Sequence, residues 1–428
     1  MVFQPSLFLF SLTVFYTTVL LVLSLICYKN KIRRNHITFN SLTAIFIMAF
    51  LVRLIPVVFF PFGSGHDLNS FIDAGKQISS GQDIYQSLEV RHRYAFLPTY
   101  GMVFALFLEL SQTTGLDIVI LMKLFIVLFD SLLACLIFLI SGNIKIGYLY
   151  ALSPIPIILS AIYGQFDAIP LFFTVLGLYL FSRKKIFRGI ISLGVGTAFK
   201  PWVLMFLPLL LFWAREKRDQ LIMLLSFMLP ILISISLYKL ITPYGNITMM
   251  MAVIARYESV MGWWGPAIFF QKISEATQFS KLLTVQTFIS KMITIGLIIF
   301  ISHKYKSKDI WNTAVLIILT IYIFSLGFGI QYLLWIFPFI LLKRDQSVAK
   351  YLLFIGLYFI TIGLFRNLTY HFSPPDIADS VYYSFSFFVW VFFVMLGVRR
   401  LRIVDKRLKN YFFSKPRISL FRKCSRLP

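Results

Sequence analysis

The chain has 428 residues, 59% of them hydrophobic and 14% charged, with a mean hydropathy of +0.82. A soluble protein of this length cannot bury that much apolar surface, so a soluble enzyme is excluded and a polytopic membrane protein is expected. The net charge of +24 would suggest nucleic acid in a soluble protein, but the basic residues sit in short connections between apolar runs, as the positive-inside rule requires, and no nucleic-acid partner is expected.

The apolar runs are near the length of a helix that crosses the hydrocarbon core, and strand-like alternation is missing, so the expected class is all-α with about 11–13 membrane segments. Segment 6–28 is the first crossing. It is long for a signal peptide and lacks a cleavage pattern, so it is expected to remain. The basic run Lys29–His36 places the next turn in the cytoplasm, and segment 40–61 carries the chain outward. Residues 1–38 form an added helix and basic loop, 39–398 the main membrane domain, and 399–428 a basic cytoplasmic tail.

The stretch from Gly63 to Ala74 follows as an outer loop, and it opens a polar run to Leu97. Segment 98–110 is too short to span, begins at Pro98 and contains Glu109, so it is expected to lie along the outer interface. Segments 116–140, 146–163 and 168–182 then cross, which puts Gly164–Asp167 on the same face as Asp67. Stretch 189–213 lies between two basic runs and is expected to enter and return, with Lys200-Pro201 at its apex within the membrane. Segment 221–242 leads to a second outer loop, 243–281. Segments 282–302, 309–326, 331–342, 347–365 and 382–398 complete the set. The tail from Arg399 mixes basic residues with Phe and Leu, which suits a membrane lipid surface.

Several clusters could carry chemistry. Asp67 and Asp73 are candidate catalytic acids, with His66 beside the first; the plain alternative is a solvated loop acid. Arg91, His92, Arg93 and Tyr94 form a basic patch on the outer side, where positive charge is disfavoured, and could donate to a phosphate or to anionic headgroups. Gln165 and Asp167 lie on an outer turn, and Asp167 is either a second carboxylate facing Asp67 or a helix N-cap. Lys123 and Asp130 share a helix face and are expected to pair with each other. Lys200 has no acid near it in sequence and is expected to face a phosphate. Arg256, Glu258 and Trp264 on the second outer loop could bind and stack on a sugar, or Trp264 could be an interfacial anchor. Asn246 and Asn367 begin glycosylation sequons. Cys27, Cys135 and Cys424 fit neither a disulfide framework nor a metal site. No nucleotide-binding motif is apparent, so any sugar donor should arrive already attached to lipid.

In order along the chain, His66-Asp-Leu-Asn69, Phe71-Ile-Asp-Ala74, Gly81 to Tyr85, Arg93-Tyr94 with Pro98, Lys123-Leu-Phe with Asp130, Ser153-Pro154, Gly164 to Asp167, Phe199-Lys-Pro201 and Gln331-Tyr-Leu-Leu-Trp335 form a familiar series. The series resembles the GT-C class of integral-membrane glycosyltransferases, and within it the first mannosyltransferases of glycosylphosphatidylinositol synthesis and related prokaryotic enzymes. The resemblance covers roughly residues 63 to 345 and leaves out the first helix. It implies a GT-C-like fold and transfer of a hexose, mannose favoured, from a polyprenyl- or dolichyl-phosphate carrier to a lipid-linked or surface glycan acceptor. It also implies inversion at the sugar, with Asp67 as base and Arg91, His92, Arg93 and Lys200 on the leaving phosphate. Gln331 and Tyr332 enter the site through the same resemblance. Asn69 stands where an Asp-x-Asp motif has its second acid, so no metal set is specified; a cofactor is not required, and a divalent cation stays open. The expected location is a bacterial inner membrane, with the endoplasmic reticulum as alternative. The rival readings are a transporter or flippase for an anionic lipid-linked solute, and a non-catalytic subunit of a polymer-assembly complex.

Overall fold

A computed structural model describes residues 7–29, 38–60, 65–91, 94–214, 216–256, 264–277, 281–306, 309–325, 327–372 and 384–402. These residues are helical throughout, joined by short turns, with no β-strand among them. Helices Leu7–Lys29, Phe39–Phe59, Ile118–Ser141, Lys217–Ile241, Lys281–Tyr305 and Ser384–Arg402 are each long and apolar enough to cross a membrane. The pair Ile144–Leu152 and Pro154–Ile162, bent by 43°, would make a seventh span. The remaining expected membrane segments are shorter apolar helices, among them Ala168–Ser182, Ile186–Phe199, Ile310–Phe324 and Ile330–Leu342.

The expected continuous span over 146–163 is therefore a broken one. The break falls at Ser153-Pro154: Ser153 is extended (φ −65°, ψ 135°), as a residue before proline must be. Past Pro154 the chain resumes for one turn and widens into a π-helical turn, Ile158–Ile162.

The expected loop after the second span is also a helix, Gly65–Ser79. Leu68, Phe71, Ala74 and Ile78 recur at helical spacing and are buried, largely against Thr99–Thr114. The apolar stripe outweighs the polar composition that suggested a loop. Phe71 sets its ring among Tyr94, Tyr100, Phe104 and Phe166. The Thr99–Thr114 helix ends at Gly115 in the left-handed conformation.

Helices Ala168–Ser182 and Ile186–Phe199 run as a tight hairpin, closed by a turn in which Lys184 takes φ 62°. They meet glycine on glycine. A methyl group on Gly177 would lie 2.8 Å from the Gly189 carbonyl oxygen, and one on Gly189 would lie 2.7 Å from that of Gly177. The hairpin brings the start of the first helix, Asp167, level with the end of the second, Lys200. At Lys200-Pro201 the helix stops, and the chain continues as a 3-10 turn, Pro201–Phe206, and a short helix, Leu207–Leu211. This is the broken segment expected over 189–213.

The first helix packs against Ile144–Leu152 and Ser347–Phe372. Tyr16 donates to the Val52 carbonyl (2.6 Å) and Ser24 to that of Leu152 (3.1 Å).

Candidate functional site

The site is built on the turn Gly164–Asp167. Gly164 has φ +70°, a left-handed backbone that favours glycine, and it turns the chain here. The three residues that follow point to different partners. Gln165 is buried and donates its side-chain amide to Asp67 Oδ2 at 2.5 Å. Phe166 stacks on Tyr100 with ring centroids 3.7 Å apart. Asp167 is fully buried and accepts from Lys200 Nζ (2.7 Å) and Trp335 Nε1 (2.8 Å).

Asp167 occupies the N-cap position of Ala168–Ser182, but its side chain makes no capping bond. Both of its oxygens go to Lys200 and Trp335 instead. The expectation that Lys200 lacks an acid is therefore corrected. The hairpin brings it a carboxylate from 33 positions earlier in the chain, a distance that sequence proximity could not reveal. The ammonium also lies 4.5 Å from the Phe166 ring centroid and 5.1 Å from that of Phe96. Aromatic faces solvate a buried cation through their quadrupoles.

Trp335 is clasped by aromatic rings, with Trp202 stacked at 4.3 Å and Tyr332 at 4.2 Å. Tyr332 and Gln331 lie half-buried on the 3-10 turn Ile330–Tyr332, just before the helix that carries Trp335. Trp335 ends the Gln331–Trp335 motif and is not among the expected site residues. Its place on Asp167 makes it one.

The structure thus gathers Asp67, Gln165, Asp167, Lys200 and Tyr332. Other expected site residues lie elsewhere. Asp73 is near the surface, with Lys76 one turn on at 3.9 Å. Tyr94 is fully buried, donates to the Leu97 carbonyl (3.0 Å) and accepts from the Gly101 amide (2.8 Å). Burial pushes its phenol above the ordinary tyrosine value, so Tyr94 stays neutral and shapes the entry to Thr99–Thr114. Trp264 is buried, not open to a sugar. Its indole donates to the Tyr322 carbonyl (2.7 Å) and its ring stacks on Phe328 at 3.7 Å. Arg91 is half-buried at the end of the one-turn helix Leu88–Arg91. His92, Arg93 and Glu258 lie outside the described residues, as do the side chains of His66 and Arg256.

Lys123 and Asp130 do not pair with each other. Seven helical residues separate them by about 10 Å of rise, too far for a direct bond. Asp130 is held by Arg53, whose Nε lies 2.6 Å from Oδ2, and it also accepts from Tyr150 Oη and Ser160 Oγ, each at 2.6 Å. Lys123 Nζ donates to the carbonyls of Phe60 (2.6 Å) and Ile162 (2.8 Å). Arg53 is not among the expected site residues. The signal was present, because an arginine inside an apolar span demands an acid.

Among the described residues, six membrane-length helices, the all-helical fold and the buried ion pairs mark a multi-pass membrane protein. Compared with known protein families, curated proteins and solved structures, the chain matches none of them.

Proposed function

We propose that the protein is a GT-C-like membrane hexosyltransferase. It moves a sugar, mannose favoured, from a polyprenyl- or dolichyl-phosphate carrier to a lipid-linked or surface glycan acceptor outside the cytoplasm. The observation that carries this reading is convergence. Motif residues spread from Asp67 to Trp335 meet at one turn, through Gln165 to Asp67 and through Asp167 to Lys200 and Trp335.

In this reading Asp67, half-buried with one oxygen fixed by Gln165, takes the proton of the acceptor hydroxyl as that oxygen attacks the anomeric carbon. The bond from that carbon to the phosphate oxygen breaks, the configuration inverts, and the lipid phosphate leaves with the electron pair. Charge grows on the leaving oxygen, where fixed positive groups help most. Arg91, His92, Arg93 and Lys200 are the groups assigned to it. Lys200 has three donors and gives one to Asp167. Asp167, held by two donors, positions Lys200 and leaves the base role to Asp67. No step of this scheme needs a cofactor. The bacterial inner membrane is the favoured location, with the endoplasmic reticulum as alternative.

A flippase for an anionic lipid-linked solute is the second reading, favoured by a buried ion pair placed where two helices begin and break. Membranes containing the protein, given a labelled polyprenyl-phosphate sugar, separate the two. Label appearing on an acceptor, and lost in Asp67→Asn, supports the transferase. Movement of intact carrier across the bilayer with no transfer overturns it.

A further inference from the structure

The π-helical turn Ile158–Ile162 stands directly before the site turn. Its wider winding is visible in two backbone bonds, from the Tyr163 amide to the Ile158 carbonyl and from the Gln165 amide to the Leu159 carbonyl, each 2.8 Å. Such turns pack less favourably than α-helix and need outside support to persist.

The support comes from one face of one helix. Within Ile118–Ser141, Asp130 Oδ2 accepts from Ser160 Oγ in the middle of the wide turn (2.6 Å), and the same hydroxyl is 2.5 Å from the Pro156 carbonyl. Two helical turns away on that face, Lys123 Nζ donates to the Ile162 carbonyl, the last of the wide turn. Asp130 is itself anchored by Arg53, which also donates Nη1 to the Ala151 carbonyl (2.8 Å) just before the helix break. Lys123 is anchored by the Phe60 carbonyl at the end of the second span. Lys123 also forms the floor beneath Gly164, whose missing side chain would sit 3.5 Å from Lys123 Cε. All four residues, Arg53, Lys123, Asp130 and Ser160, are fully buried.

We infer that Lys123 and Asp130 are positioning residues that hold Ile158–Ile162 in π register and thereby set the phase at which Gln165 and Asp167 enter the site. Winding the turn back to α register would rotate everything beyond it by about 100°. That rotation would take Gln165 off Asp67 and Asp167 off Lys200. The two buried ions serve the site without touching its ligand, and the inference stands whichever reaction the site performs.

Hydrogen exchange on the full chain in lipid nanodiscs tests it. Lys123→Met removes one grip and Ser160→Ala the other, while Thr174→Ala removes a buried hydroxyl within Ala168–Ser182 as a control. Each grip variant is expected to speed amide exchange over 158–167 by about tenfold or more, the weight of one hydrogen bond to a charged group. Exchange over 169–182 should stay at the parent rate in both, and Thr174→Ala should leave 158–167 untouched. Unchanged exchange over 158–167 in Ser160→Ala overturns the inference. So does a rise spread evenly along the chain, which marks loss of general stability. If Lys123→Met does not fold, Ser160→Ala alone decides. Because the readout is exchange and not turnover, failure here is separable from failure of the transferase reading.

Discussion

Lys200 Nζ lies 2.7 Å from Asp167 Oδ2, and this bond ties the break after Ile186–Phe199 to the turn that carries Gln165. Removing one partner of a buried pair strands the other charge, at a cost of ~3–5 kcal/mol. Lys200→Met and Asp167→Asn should each lower the thermal midpoint in detergent, and the double variant should recover much of the loss. Additive losses in the double variant would show that the two residues stabilise the protein separately.

Asp67 lies nearer the surface than the fully buried Asp167. It is half-buried at the start of Gly65–Ser79, and an amide oxygen in its place can still accept from the Gln165 amide. Asp67→Asn should therefore keep its thermal midpoint while turnover in the transfer assay falls about 10²–10⁴-fold. Near-normal transfer in a well-folded variant would move the base role to another acid.

Trp335→Phe keeps a ring between Trp202 and Tyr332 but removes the donor to Asp167. A hydrogen bond to a charged group is worth about 1.5–3 kcal/mol. The variant should lose roughly that much stability in a denaturation series. In the Asp167→Asn background the same change should cost less. Equal costs in both backgrounds would separate the indole from the carboxylate.

Asp345 closes a clasp at the opposite end of the short helices. Its Oδ1 accepts from the Ser347 amide (2.8 Å) and hydroxyl (2.6 Å), and its Oδ2 pairs with Arg400 of the last described helix. Burial alone would raise its carboxyl, but the Ser347 donors and the Arg400 charge together hold it below the ordinary aspartate value. A group depressed on folding adds stability above its unfolded value and loses it as pH falls through the folded one. Asp345→Asn should therefore lower the thermal midpoint at neutral pH, and the gap to the parent should close below the ordinary carboxylate range. A gap that persists in acid would show that packing, not charge, is what the clasp supplies.

The helices were legible in sequence because apolar run length is a local property, and the spans at 6–28, 116–140 and 221–242 end within a few residues of their expected bounds. The partnerships were not. Asp167 and Lys200 were each singled out, yet the pairing depends on a hairpin whose register is set by two glycines in close contact. Asp130 was given to Lys123 because they share a face, while the acid's real partner, Arg53, comes from another span. The segment Gly65–Ser79 reads as a loop because its charged and polar residues outnumber the apolar ones that form its buried stripe.

The glycine contact in that hairpin also sets a length. From Gly177 back to Asp167, and from Gly189 forward to Lys200, each arm is roughly three helical turns, about 15 Å of rise in the first and about 16.5 Å in the second. Two rods pinned at one point and matched beyond it to within one residue end at nearly the same height, and so the carboxylate and the ammonium meet. A residue inserted into one arm alone would raise that end by ~1.5 Å and swing its side chain by about 100°. The two arms can change length only together, so an insertion in one should be tolerated only with a matching insertion in the other.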